Sequence, residues 1–141
     1  MENLFVTYEQ ALALKQIGFD EPCLAYYSCS FFMDTEDSPT FKMWEILSTL
    51  KENKNSFIFF LKNDCTAPIK QQVFKWGREK HNLHHKIMSH GDWDNLQYQY
   101  IISGTNIPES CHMYFFVDAN SYEQAESACI DEIIKIIQNK K

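Results

Sequence analysis

The chain is predicted to fold as an α+β protein, on three observations. Two near-identical pentapeptides, Thr7-Tyr-Glu-Gln-Ala11 and Ser121-Tyr-Glu-Gln-Ala125, read as helix starts towards opposite ends of the sequence. Between them the apolar pattern shifts to two-residue alternation and short apolar runs, as strands require. With 45% apolar and 15% aromatic residues, and only 4 glycines and 4 prolines, the composition is that of a packed core rather than a disordered chain. At 141 residues the expectation is a single domain over 1–141. It would hold an antiparallel or mixed sheet of about four to five strands, with three helices packed mainly on one face.

The pentapeptides set the two outer helices. In Thr7-Tyr8-Glu9-Gln10 a hydroxyl stands three residues before a glutamine, the spacing of a capping box. Ser121 and Gln124 stand in the same relation, and Glu9 and Glu123 place negative charge where the helix dipole favours it. Beyond Ala11 and Ala125 the sequences diverge, so the pair is one structural solution used twice. The first helix is expected over Tyr8–Ile17. It stops at Gly18, with Phe19 folding back toward Leu14 in a Schellman ending. The last is expected over Tyr122–Gln138, where Ala125, Cys129, Ile133, Ile136 and Ile137 form an apolar stripe flanked by Ile130 and Ile134.

A middle helix is expected to open at Thr66-Ala67-Pro68, with Thr66 as its cap, and to end near His81-Asn82. Its spacing puts Ile69, Val73, Trp76 and Lys80 on one face, with Phe74 and Gly77 on the flank. Strands are expected at Leu24–Ser30, Phe57–Lys62, Leu83–Ser89, Leu96–Ser103 and Cys111–Asp118, the last two joined through Gly104-Thr-Asn-Ile-Pro108. Thr40–Lys51 fits helix or strand; Phe41, Trp44, Leu47 and Leu50 tilt the reading to helix. Asp34–Pro39 reads as an acidic turn, and Gly91–Asn95 as a second loop.

Charge and cysteine content narrow the class. A net charge of −6 argues against a non-specific nucleic-acid binder. The opening MENLFVTYEQ lacks a basic stretch followed by an apolar one. No apolar run is longer than that of Phe57–Leu61, which falls far short of the roughly 20 residues of a membrane span. Five cysteines without a CxxC pair read as free, mostly buried thiols of a reducing compartment, so a cytoplasmic protein is expected.

Four groups of residues have chemistry to weigh. Lys75, Arg78, Lys80 and Lys86, interleaved with Trp76 and His81, make the one basic, aromatic-containing segment; Arg78 would be a bidentate donor to an anion. Trp93, between Asp92 and Asp94, is a candidate interface anchor, while a calcium loop there would need a glycine and a terminal glutamate that are missing. His81, His84, His85 and His90 are candidate metal ligands. Their spacing matches no established zinc pattern, however, and His84 and His85 would point to opposite faces of a strand. Tyr26, Tyr27, Tyr98, Tyr100, Tyr114, Phe115 and Phe116 crowd the expected strands, where helix packing explains them more simply than base stacking. Neither a phosphate loop nor a nucleophile elbow is present, and Cys111-His112 would face opposite ways.

Three blocks, NLFVTYEQALALKQIGFDEPCLAYY, TAPIKQQVFKWGREKHNL and SYEQAESACIDEIIKII, resemble a family of small proteins found in tailed bacteriophages and prophages of Bacteroidetes. They cover about half of the chain. Relatives more often carry an aromatic residue near Ile69–Lys70 and after Trp76, where this chain has Lys70 and Gly77. The resemblance implies a phage or prophage gene expressed in bacterial cytoplasm, and it carries no site residues.

The functional expectation is a non-enzymatic binding protein without a cofactor, acting on a host or phage protein and not on a membrane. Two alternatives stand beside it. One is sequestration of a small nucleotide messenger in counter-defence, through Arg78, Lys75 and neighbouring aromatics. The other is a metal-dependent hydrolase using the histidines. A sheet edge or aromatic patch could also make a homo-oligomer.

Overall fold

The structure is a computed structural model that describes residues 2–29, 39–43, 54–56, 63–92, 94–104, 113–119 and 121–140. It is α+β: the described residues form three α-helices and two antiparallel sheets of three strands each. The chain divides into two compact units, Met1–Ile69 and Lys70–Lys141. None of the described helices is long and apolar enough to cross a membrane.

In the first unit, helix α1 spans Tyr8–Ile17 and begins as the sequence dictates. The Gln10 N–H donates to Thr7 Oγ1 at 3.3 Å and the Thr7 N–H donates to Gln10 Oε1 at 3.1 Å, so each group satisfies the other's orphan donor. At the far end Gly18 takes φ +96°, which its missing Cβ permits. The N–H of Phe19 then reaches Leu14 O at 2.9 Å and that of Gly18 reaches Lys15 O at 3.2 Å, completing the Schellman pair.

The sheet of this unit has β1 (Ala25–Ser28) between β2 (Thr40–Met43) and β3 (Cys65–Ala67). Ala25 faces Met43 on one side and Ala67 on the other, and Tyr27 lies between Phe41 and Cys65. Phe5, Ala25 and Ala67 are buried together, with Tyr27, Phe41 and Ile69 packed against them. The rings meet edge to face: Phe5 and Phe41 at 5.0 Å, Tyr27 and Phe41 at 5.5 Å, Tyr8 and Tyr27 at 5.6 Å.

Two expectations change here. Residues Thr40–Met43 form a strand and not the start of a helix, because β1 pairs all four of them; residues 44–51 lie outside the described set. Thr66 is no helix cap. It sits buried in β3, its N–H donating to Asn55 Oδ1 at 2.9 Å, and the helix starts at Lys70. Pairing with β1 and the Val6 N–H donated to Pro68 O at 3.1 Å hold this stretch extended against its local capping preference. The expected strand Phe57–Lys62 and the turn at 34–38 also lie outside the described residues.

The second unit runs α2 (Lys70–His81), β4 (Leu83–His90), β5 (Gln97–Gly104), β6 (Met113–Ala119), α3 (Tyr122–Gln138). The strands form an antiparallel meander, β4-β5-β6, with a register shift between Tyr98 and Gln99. Alternation assigns the covered face: Leu83, His85 and Ile87 stand across from Gly104, Ile102 and Tyr100. Leu83, Ile102 and Tyr100 are buried. Helix α3 supplies Ala125, Cys129, Ile130, Ile133, Ile134 and Ile137 as its buried stripe, with Ile136 at the margin. Ser121 caps it, accepting the Gln124 N–H at 3.2 Å.

Helices α2 and α3 are tied by charge. Lys70 Nζ lies 3.3 Å from Glu126 Oε2, both side chains about nine-tenths buried, and Gln71 Nε2 donates to Glu126 Oε1 at 3.1 Å. A single residue, Asn82 at φ +52°, turns α2 into β4.

Candidate functional site

Helix α2 is buried on one side and charged on the other. Val73, Phe74, Trp76 and Gly77 face the core of the second unit, and Gln71, Lys75, Arg78, Glu79 and Lys80 are exposed. Residues four and three apart lie on one face, so Gln71, Lys75 and Arg78 line up along a stripe. Lys75 and Glu79 approach at 3.9 Å with side chains 65% and 60% exposed, a contact too solvated to immobilise either. Among the described residues no ion pair holds Arg78, Lys80 or Lys86. The charge of Arg78 reaches the sheet: after burial, it is the next cause that lowers the pKa of His85 to about 4, with His84 third.

The expected ligand residues separate on this surface. Lys75 and Arg78 are exposed together, as a binding stripe requires. Trp76 is only 5% exposed and stands edge-on to the His81 ring at 4.4 Å, so it offers no open face to a base or a partner. The same spacing that makes Trp76 helical, in step with Val73, turns it inward. Trp93 lies outside the described residues.

The four histidines are dispersed. His81 closes α2 against Trp76. His84 and His85 take opposite faces of β4, the first at 3.2 Å from Asn82 Oδ1 and the second stacked on Phe74. His90 ends the strand. Among the described residues no three histidine, cysteine or acidic side chains gather where they could hold a metal ion.

A second polar cluster, in the first unit, was not visible in the sequence. It joins Tyr8, Lys15, Cys29, Asn63, Asp64 and Cys65 across separations of up to 57 residues, and no local motif announces it. The Tyr8 hydroxyl donates to Asn63 O at 3.2 Å and accepts the Cys29 thiol at 3.4 Å. The buried Asp64 carboxylate accepts the Cys29 N–H at 2.7 Å, and Lys15 Nζ donates to the Asp64 carbonyl at 2.5 Å. Among the described residues the Cys29 thiol meets the Tyr8 phenol and the Asn63 carbonyl. The phenol is itself pushed above its ordinary range, by that thiol hydrogen bond first and by burial second. Burial raises Cys65 and Cys23 to about 12. Cys65 is thereby held as a protonated, poorly nucleophilic thiol, and the hydrogen bonds of the cluster tie α1 to the residues that follow β1 and precede β3.

The exposed basic stripe of α2 is therefore the candidate site. It is concentrated against the charge of the chain: residues 70–90 hold five of its 13 lysines and arginines and one of its 19 acids. Comparison with protein-family models, with curated proteins and with solved structures returned no match.

Proposed function

We propose that this is a non-enzymatic binding protein of phage or prophage origin that acts in the bacterial cytoplasm on a host protein. The observation that carries the reading is the exposed row of Lys75 and Arg78 on α2, charged against the sign of the rest of the molecule. A basic surface on an acidic protein steers and orients a partner more than it supplies raw affinity. The resemblance of the three sequence blocks to phage and prophage proteins supports the origin. The burial of Trp76 weighs against a nucleotide pocket built on this helix, since it withdraws the ring that would stack on the base.

Affinity capture from bacterial lysate tests the proposal, comparing the wild-type chain with Lys75→Glu/Arg78→Glu. A protein retained by the wild type and lost by the equally stable variant is the expected result. Identical captured sets from both would remove α2 as the binding surface.

A further inference from the structure

The stripe on α2 also restricts what kind of partner it can accept. Of the five cations in 70–90, Lys70 is used inside the fold, paired with Glu126. Lys75, Arg78, Lys80 and Lys86 remain on the surface. Lys80 and Arg78 lie in the last turn of α2, where they complement the helix dipole. That role does not extend to Lys75, a turn earlier, or to Lys86 on β4. Lys75 and Arg78 are like charges three residues apart, a spacing at which they repel. Helix α3 behaves otherwise: its Lys135 stands 3.4 Å from Glu132 among several acids. Second to burial, the charge of Arg78 also opposes protonation of His85 within the fold.

Resting on the binding-protein reading, we infer that the α2 stripe of Lys75 and Arg78 docks a short acidic polypeptide segment rich in aspartate and glutamate. Charge complementarity selects the sign. Extent selects the class. From Lys75 to His81 the helix rises roughly 9 Å. A nucleic acid, with a charge about every 1.7 Å of duplex axis, continues well beyond such a stripe. The remaining residues of the chain hold eight cations against eighteen acids, a net charge that disfavours a long polyanion overall. An acidic polypeptide segment can end where the stripe ends. Arg78 offers its carboxylates a bidentate fork, and Lys75 a point charge one turn away.

Fluorescence anisotropy with the full chain tests this, using a labelled ten-residue glutamate/aspartate peptide and a labelled ten-nucleotide oligothymidylate, each from 20 to 300 mM NaCl. The expected result is peptide binding that weakens at least tenfold over that range and at least fivefold in Lys75→Glu or Arg78→Glu. Lys140→Glu, at an exposed position after α3, should leave it unchanged. Circular dichroism melts establish that the variants are folded. Tighter binding of the oligonucleotide with the same variant losses would overturn the inference in favour of a nucleic-acid surface. Peptide binding indifferent to Lys75 and Arg78, or no peptide binding at 20 mM salt, would overturn it as well. Either result leaves the captured-protein comparison standing as a separate test of the binding-protein reading.

Discussion

The imidazole of His85 lies flat on the ring of Phe74, centroids 3.6 Å apart and planes 11° from parallel. One residue comes from the sheet and the other from α2, so the stack fastens that helix to β4. It also fixes a charge state. Burial, then Arg78, then His84 hold the pKa down to about 4, so the folded protein carries this imidazole neutral.

A folded-state pKa below the unfolded value means that the unfolded chain binds the proton first as pH falls. Stability is unaffected by His85 above about pH 6.5 and is lost between there and pH 4. Discounted for the half exposure of the ring, the loss is about 1–2 kcal/mol. His85→Phe keeps a ring against Phe74 and removes the titration. Urea unfolding at pH 7 and pH 4.5 should show the variant gaining on the wild type at the lower pH. An unchanged difference between the two would refute the assignment.

Glu126 is the acceptor that two residues of α2 share, Lys70 at 3.3 Å and Gln71 at 3.1 Å. Glu126→Ala leaves the Lys70 ammonium buried without its partner, at a cost of about 3–5 kcal/mol. The double change Lys70→Met/Glu126→Leu removes both charges and should recover most of that stability. A single variant as stable as the wild type would show that the pair contributes nothing.

The turn from α2 into β4 depends on a glycine in another strand. A Cβ on Gly104 would come 2.4 Å from the carbonyl oxygen of Asn82, backbone that cannot swing aside. Gly104→Ala should therefore destabilise by about 1–3 kcal/mol, as overpacking does. Gly18→Ala makes a useful contrast, for nothing stands within 4 Å of its added methyl and the cost there is the strained φ of +96° alone. Thermal melts of the two variants distinguish collision from backbone strain. A Gly104→Ala protein melting with the wild type would contradict the close approach.

Much of the fold was legible where local chemistry decides it. Thr7, Gln10, Gly18 and Phe19 lie within thirteen residues, and the cap and Schellman bonds they form need no distant partner. The α3 stripe was equally plain, since one periodic face of isoleucines has one way to be buried. Thr66 and Phe41 misled because each carries a local preference that pairing with β1 overrides. The basic stripe was readable as composition. Which of its members face outward was not, for Trp76 stood among the expected ligand residues and Lys80 on the Val73–Trp76 face, whereas Trp76 is buried and Lys80 exposed. The Glu126 partnership with Lys70 and the Tyr8–Cys29–Asp64 tie were not, for they join residues far apart in sequence with no motif between them.

The central claim is that the exposed face of α2 touches a protein partner, and site-specific photo-crosslinking in bacterial lysate tests it most directly. A photoreactive residue in place of Glu79, 60% exposed beside Lys75, should yield one discrete protein adduct that fades as salt rises. The same residue in place of exposed Gln138 on α3 should yield none of it. An adduct formed equally from both positions, or from Gln138 alone, would contradict the account.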